Sequence, residues 1–295
     1  MCKFNFTSNE EYISQLKKEN YIRGEAMNIT YLGTAAAEGF PALFCNCVYC
    51  NEARRLGGKN VRTRSQALIN SNLLIDFPAD TYTHLLQNGI RGDEIDYLIF
   101  THAHEDHFYP DDLFLRFGPY AHDMLASKLK VFCPKTVYES FDKLPENVEI
   151  TALEAYKPTE IGTYKITPLP ARHKLGSEAF INIIQDDKTL LYAHDTGYFY
   201  DEVFDYIEKQ KIVFDMVSLD CTNVDIPISD DGSHMGFSNI ERVLQRLNSI
   251  GAIRESTVKY VNHFSHNGNP IHELLEKRAK EYDCFVSYDG CRVTL

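Results

Sequence analysis

Apolar residues in this chain come mostly in short runs of three to seven, interrupted by turn-forming residues, and only in places at helical spacing. NITYLGT over 28–34 begins a strand. Ala67-Leu68-Ile69 and Leu73-Leu74-Ile75 flank the turn Asn70-Ser71-Asn72 as a hairpin, expected at a sheet edge or within a layer. Residues 79–88 are expected to be helical, and Tyr97-Leu98-Ile99-Phe100 a short buried strand. Further strands are expected over 129–133, 148–153, 163–169, 179–185 and 189–193. The pattern then switches: helical stretches near 200–209, 237–248 and 270–281 are separated by strands at 214–219, 258–261 and 285–287. Two runs of strands, each accompanied by helices, predict an α/β fold, a four-layer αββα sandwich. Ahead of it, residues 9–20 place Tyr12, Ile13 and Leu16 among Lys and Glu, so 1–26 is expected to be a helical extension. No Pro/Gly/Ser-rich run, single-charge run or repeat divides residues 1–295, and one domain is expected.

Composition narrows the partners. Thirty Lys and Arg against 42 Asp and Glu give a net charge of −12, which disfavours a long nucleic acid. No apolar run approaches the roughly 18 residues of a membrane span, so a cytoplasmic chain with no membrane partner is expected. A homodimer is compatible with the sequence, which does not fix the oligomeric state. Three of the eight cysteines cluster at Cys45, Cys47 and Cys50, which suits reduced thiols and a metal site better than a disulfide framework.

The chemistry concentrates in THAHEDHFYPDD, residues 101–112, directly after an apolar strand. His102, His104, Asp106 and His107 occupy six positions. Protonated, the imidazoles would repel one another; buried, they would waste hydrogen-bonding capacity unless a cation drew them together. Such a pattern arises by chance on the order of once in a thousand chains of this composition. One loop cannot complete two coordination spheres. Other strand ends offer His173 in LPARHKLG, Asp195 in LLYAHDTGY and His263 in KYVNHFSHNG, where loops gather on one rim of a sheet.

HAHEDH, followed by a lone His, an Asp in a D-T-G context and a late His, resembles the metallo-β-lactamase superfamily of binuclear metallohydrolases from residue 28 onward. The resemblance implies the sandwich fold. It also implies His102, His104 and His173 on one metal, Asp106, His107 and His263 on the other, and Asp195 between them. Imidazoles and carboxylates suit Zn²⁺ or Mn²⁺, with Fe²⁺ a further option. Leu74-Ile75-Asp76 is similar to the family's early strand-end Asp, although Phe77-Pro78 replaces the usual small residues. Asp76 is expected to steady the His loop from behind.

A second metal signature is Cys45-x-Cys47-x-x-Cys50, three soft ligands that need a fourth for tetrahedral zinc. Together with His263-Phe264-Ser265-His266 it is similar to the PhnP family of phosphodiesterases, which open cyclic ribosyl phosphates. That resemblance implies a structural zinc on the three cysteines and His266. The N-terminal block also resembles the pyrroloquinoline quinone biosynthesis protein B family. The complete H-x-H-x-D-H cluster favours the PhnP-like hydrolase.

The resemblance further implies that His234, in DDGSHMGFSN, is the general acid that protonates the leaving group, with Asp106 beside it at the catalytic centre. Arg172 and Lys174 flank His173; contact with phosphate is one reading of them, and solvated surface charge is the expected one. His84, His122 and His272 are expected to be structural, and His194 to lie behind Asp195. Residues 108–128, rich in Phe and Tyr, fit a pocket wall and helix packing equally well. The expected activity is a binuclear metal-dependent hydrolase of a small phosphodiester, cyclic ribosyl or nucleotide diesters included. The alternatives are a lactone or other carbon-ester hydrolase, and a non-hydrolytic protein of cofactor biosynthesis or ligand binding.

Overall fold

A computed structural model describes residues 26–173 and 178–295. The helix expected over 9–20, all but the last residue of the expected extension, and Lys174 lie outside them. The first sheet is built from β1 (Asn28–Gly33), β2 (Gln66–Ile69), β3 (Leu73–Ile75), β4 (Tyr97–Ile99), β5 (Leu129–Cys133) and β6 (Val148–Ala152). The second contains β7 (Thr159–Ile161), β8 (Tyr164–Pro170), β9 (Phe180–Gln185), β10 (Thr189–Ala193), β11 (Met216–Asp220), β12 (Val258–Asn262) and β13 (Phe285–Val286). The last strand, β14 (Cys291–Thr294), returns to the first sheet and pairs antiparallel with β1. The resulting orders are β14-β1-β2-β3-β4-β5-β6 and β13-β12-β11-β10-β9-β8-β7. β3 to β6 run parallel, as do β10 to β13.

Both faces of the central strands are covered, so their sequences read as continuous apolar runs rather than alternations. In β2, Ala67 and Ile69 face the layer between the sheets while Leu68 faces outward; in β3, Leu73 and Ile75 face inward and Leu74 outward. The inter-sheet layer joins Ile29, Tyr31, Ile75 and Ile99 to Ile166, Ile184, Tyr192 and Met216. Six helices accompany the sheets among the described residues: α1 (Val48–Leu56), α2 (Thr81–Asn88), α3 (Lys135–Glu139), α4 (Asp201–Lys209), α5 (Phe237–Ser249) and α6 (His272–Lys280). The outer face of the second sheet is buried by Phe204 and Ile207 of α4, Ile240, Val243 and Leu247 of α5, and Leu275 of α6. The outer face of the first carries Leu68, Leu98 and Val131 packed with Val137 of α3. These three apolar layers make the four-layer sandwich. No helix among the described residues is long and apolar enough to cross a membrane.

The hairpin β2–β3 lies inside its sheet, between β1 and β4, and not at an edge. α1, α3, β7 and β14 were not expected from the pattern. In α1 only Cys50 and Ala53 are buried, so no apolar stripe marks it.

Candidate metal centres

The candidate ligands sit where strands end. β3 leads to Asp76, β4 to the 101–107 loop, β8 to His173, β10 to Asp195 and β12 to His263. Asp76, Asp195 and His263 all take left-handed backbone conformations, with φ of 64°, 53° and 66°. Each costs on the order of 1 kcal/mol for a side chain with a Cβ, a strain characteristic of residues held for function. Contacts from Asp76 to His107 and from Asp195 to His107 and His263 bring these strand ends to one rim.

Two donor clusters share that rim. In the first, His102 Nε2 and His173 Nε2 each lie 2.9 Å from His104 Nδ1. His173 Nδ1 faces the Ser233 carbonyl at 3.2 Å and therefore carries its proton, which leaves Nε2 bare. His102 Nδ1 is 3.0 Å from the Thr101 hydroxyl, and the Thr101 hydroxyl in turn donates to Asp76. Burial holds all three imidazoles below the usual histidine range, most strongly His102, so they are neutral, the form that binds metal. The 2.9 Å nitrogen separations are shorter than the roughly 3.3 Å that ligands at about 2.0–2.1 Å would span around a tetrahedral zinc, and close enough for one cation to bridge all three.

In the second, His107 Nδ1 donates to Asp76 Oδ2 at 2.7 Å and His263 Nδ1 lies 2.8 Å from Thr222 Oγ1, so both Nε2 atoms face inward. Asp106 Oδ2 is 3.4 Å from His107 Nε2. Asp195 lies between the clusters: Oδ2 is 2.5 Å from His107 Nε2 and 2.9 Å from His263 Nε2, and Oδ1 is 3.8 Å from His173 Nε2. His107 Nε2, His263 Nε2 and Asp195 Oδ2 are buried without a hydrogen-bond partner. Lone pairs converging in a dry site repel unless a cation, or a proton in its place, lies among them. Burial opposes a proton on His107, but Asp195, Asp76 and Asp106 outweigh burial and raise His107 well above its usual range. Burial likewise opposes ionisation of Asp106 and Asp195, and the His107 and His263 charges overcome it, holding both carboxylates below theirs. The donor set fits a pair of divalent cations.

Asp76, fully buried, accepts from Thr101 N at 2.7 Å and from the Thr101 hydroxyl as well as from His107, which places it behind the loop. The sequence reading missed its counterpart in the other sheet. Asp220, the last residue of β11, accepts from the backbone of Asp195 (3.0 Å), Thr222 (3.1 Å) and Met235 (2.9 Å). Its strand-end placement in VSLDCT repeats that of Leu74-Ile75-Asp76, and this was the available signal. His234 Nδ1 lies 3.1 Å from Asp220 Oδ2 and 3.5 Å from Asp195 Oδ1, with its ring stacked on His263 at 5.6 Å between centroids. Burial lowers His234, but Asp220 and then Asp195 and Asp106 outweigh it and bring it up to about 9. With 27% of its side chain exposed, His234 reaches solvent from beside the cage.

Cys45, Cys47, Cys50 and His266 form a separate four-donor cluster. His266 Nδ1 is 3.8 Å from Cys47 Sγ and 3.7 Å from Cys50 Sγ. Cys47 caps α1, its sulfur accepting from Cys50 N at 3.4 Å; Cys45 Sγ accepts from Cys47 N and Cys50 Sγ from Ala42 N. His266 and the Cys50 N–H lower the Cys47 thiol to about 6, whereas burial first pushes Cys50 up to about 11. Glu38 Oε1 accepts from Ser265 Oγ at 2.6 Å and His266 N at 3.2 Å, joining the cysteine segment to the turn that also carries His263.

Arg172 departs from expectation. Its side chain is only 21% exposed: the guanidinium stacks on Tyr200 at 4.1 Å, Nε donates to the Tyr198 carbonyl at 2.8 Å, and Nη1 lies 3.4 Å from Asp231. His84 is buried between Thr63 and Gln66, His272 between Arg62 and Glu276, and His122 is exposed. His194 is buried behind Asp195 with Ser218 and Asn262. Within 108–128, Phe108 packs on Phe100 and Phe141 while Phe117 and Tyr120 are exposed, so the stretch serves partly as packing.

The profile of the family described as "Beta-lactamase superfamily domain" matches residues 72–264. The chain is 26% identical to a Coenzyme PQQ synthesis protein B from Klebsiella pneumoniae (strain 342), across 91% of this chain and 98% of that protein. Among solved structures, a diphosphatase from the PhnP family superposes with a TM-score of 0.71 at 19% identity, covering 91% of this chain and 98% of the other. Zn²⁺-bound PqqB from Methylobacterium extorquens gives 0.68 at 16% identity, covering 91% and 100%. At these identities the two structures establish the fold.

Proposed function

Because this chain belongs to the beta-lactamase superfamily, we propose that it is a binuclear metal-dependent hydrolase whose substrate is a small phosphodiester, cyclic ribosyl or nucleotide diesters included. The observation that carries the proposal is the set of three buried donor atoms, His107 Nε2, His263 Nε2 and Asp195 Oδ2, that have no hydrogen-bond partner and converge beside the triad in which His104 Nδ1 meets His102 and His173. His102, His104 and His173 would hold one cation, Asp106, His107 and His263 the other, with Asp195 shared. When bound, two divalent cations supply Lewis acidity that neutralises phosphoryl charge and makes water a nucleophile near neutral pH. The protein's residues do the rest. Asp76 and Thr222 fix His107 and His263 with Nε2 facing inward, which spares the site reorganisation during reaction. His234, held at Nδ1 by Asp220, presents Nε2 as the proton donor to the departing alkoxide. Cys45, Cys47, Cys50 and His266 hold a structural zinc in this reading.

The resemblance to a PhnP-family diphosphatase supports phosphorus as the reacting centre. The match to Coenzyme PQQ synthesis protein B favours a second reading, a metal-bearing protein of cofactor biosynthesis. A panel of cyclic ribose phosphates, cyclic nucleotides, aryl phosphodiesters and lactones, offered to metal-loaded protein, separates the readings. The proposal expects turnover of phosphodiesters and little of lactones. Lactone turnover without phosphodiester turnover refutes the substrate class, and binding of a ligand never turned over moves the protein to the second reading.

A further inference from the structure

His234 sits at the end of an excursion from β11. The neck of this loop, residues 224–235, is closed by Asn223 N donating to the Met235 carbonyl at 3.0 Å and Phe237 N to the Val224 carbonyl at 2.7 Å. Val224, β-branched, is held in a left-handed conformation at φ 51°, and a Cβ on Gly236 would fall 2.6 Å from the Val224 carbonyl oxygen. The tip is fixed differently. It rests on the turn after β10 that carries Asp195, with Gly197 meeting Gly232 backbone to backbone. A Cβ on Gly197 would lie 1.9 Å from the Gly232 carbonyl oxygen and 2.9 Å from its carbon. Two Asp–Arg–Tyr contacts flank this approach: Arg172 faces Asp231 and stacks on Tyr200, and Arg242 pairs with Asp230 and stacks on Tyr198.

Resting on the reading of His234 as the proton donor, we infer that Gly197 is a positioning residue for His234, setting the distance between the loop that carries it and the turn that carries Asp195. Gly197 N is anchored by the Arg172 carbonyl at 2.9 Å and Asp195 N by Asp220, whereas Asp231 is exposed. A methyl at Gly197 therefore displaces the outer loop. Relief of the clash requires roughly 1 Å, a shift that can cost about 100-fold when it moves a reacting group.

The test uses Gly197→Ala and His234→Ala in metal-loaded protein, with aryl methyl phosphodiesters whose leaving group runs from p-nitrophenol to phenol. His234→Ala is expected to lose about 100-fold on phenol esters and little on p-nitrophenol esters. Gly197→Ala is expected to show the same selective loss, about 10- to 100-fold, with metal content unchanged and no further loss when combined with His234→Ala. Equal loss across the series, full additivity with His234→Ala, or loss of metal would overturn the inference, the last by placing Gly197 in support of Asp195 or, through Ser233, of His173. A His234→Ala protein without leaving-group dependence would remove the proton-donor reading and this inference with it. Selectivity in His234→Ala but not in Gly197→Ala would overturn the inference alone. If Gly197→Ala does not fold, Arg172→Ala takes its place: a selective loss of about 3- to 10-fold is expected, and its absence overturns the inference.

Discussion

Replacing Asp76 by Asn tests how much of the metal site is built by residues that never touch metal. The Asp76 carboxylate accepts from Thr101 N and His107 Nδ1, each at 2.7 Å, and from the Thr101 hydroxyl at 2.9 and 3.0 Å, in a fully buried setting. Asparagine preserves the shape but offers one acceptor and one donor. If its oxygen stays on Thr101, its NH₂ group faces His107 Nδ1, and the His107 proton moves to Nε2, the atom 2.5 Å from Asp195 Oδ2. Metal binding must then restore the original tautomer with two donors opposed. An unsatisfied buried donor costs about 1–3 kcal/mol, equivalent to roughly 5- to 150-fold in affinity. Losses of about 10- to 100-fold are typical when the partner of a metal-bound histidine is removed. Competition against a chelator of known zinc affinity, followed by metal analysis, reads this directly. Affinity within about threefold of wild type would refute the idea that Asp76 sets the His107 tautomer.

Cys47→Ala should lose about one zinc per chain; with free zinc a thousandfold above its dissociation constant, the lost linkage amounts to about 4 kcal/mol in urea unfolding. Unchanged zinc content and stability would dismiss the structural site. His84 has its pKa depressed to about 4, foremost by burial, so as pH falls below about 6.5 the unfolded chain takes up the proton first and stability is lost between about pH 6.5 and 4. His84→Asn should remove about 2 kcal/mol of the stability difference between pH 7.5 and pH 5, and identical pH dependence in both proteins would show that His84 is not buried neutral. Asp220→Asn should lower turnover of phenol esters about 10-fold or more, because His234 loses its orienting carboxylate; equal loss on nitrophenol esters would argue against that role.

Much of the candidate site was legible because its residues act in runs: HAHEDH follows a strand too apolar to be anything but buried, and His173, Asp195 and His263 each follow another. β10, β11 and β12 run parallel and β8, through two antiparallel pairings, points the same way as β10, so their ends reach one rim and sequence order along the chain became proximity in space. Asp220 was missed for the opposite reason. Its strand-end position is the one local signal a single carboxylate after VSL carries; its meaning comes from the backbone of Asp195, 25 residues back, and from His234, 14 residues on. Arg172 was misjudged because a charged residue beside a loop is ordinarily solvated, and only the fold supplies Tyr200 to cover it. β14 was missed for want of a strong apolar run, CRVT finding its partner in β1 at the other end of the chain. In α1, zinc-ligand candidates replaced the hydrophobic stripe that would have announced a helix.

The central claim is a two-cation hydrolase, and one titration addresses it. Metal-depleted protein is titrated with Mn²⁺ or Zn²⁺ while bound metal and hydrolysis of bis(p-nitrophenyl) phosphate are followed together, beside His104→Ala. Turnover that rises as the paired site fills, and is absent from His104→Ala, is the predicted result. Turnover without metal, equal turnover in His104→Ala, or none with both cations bound would contradict it.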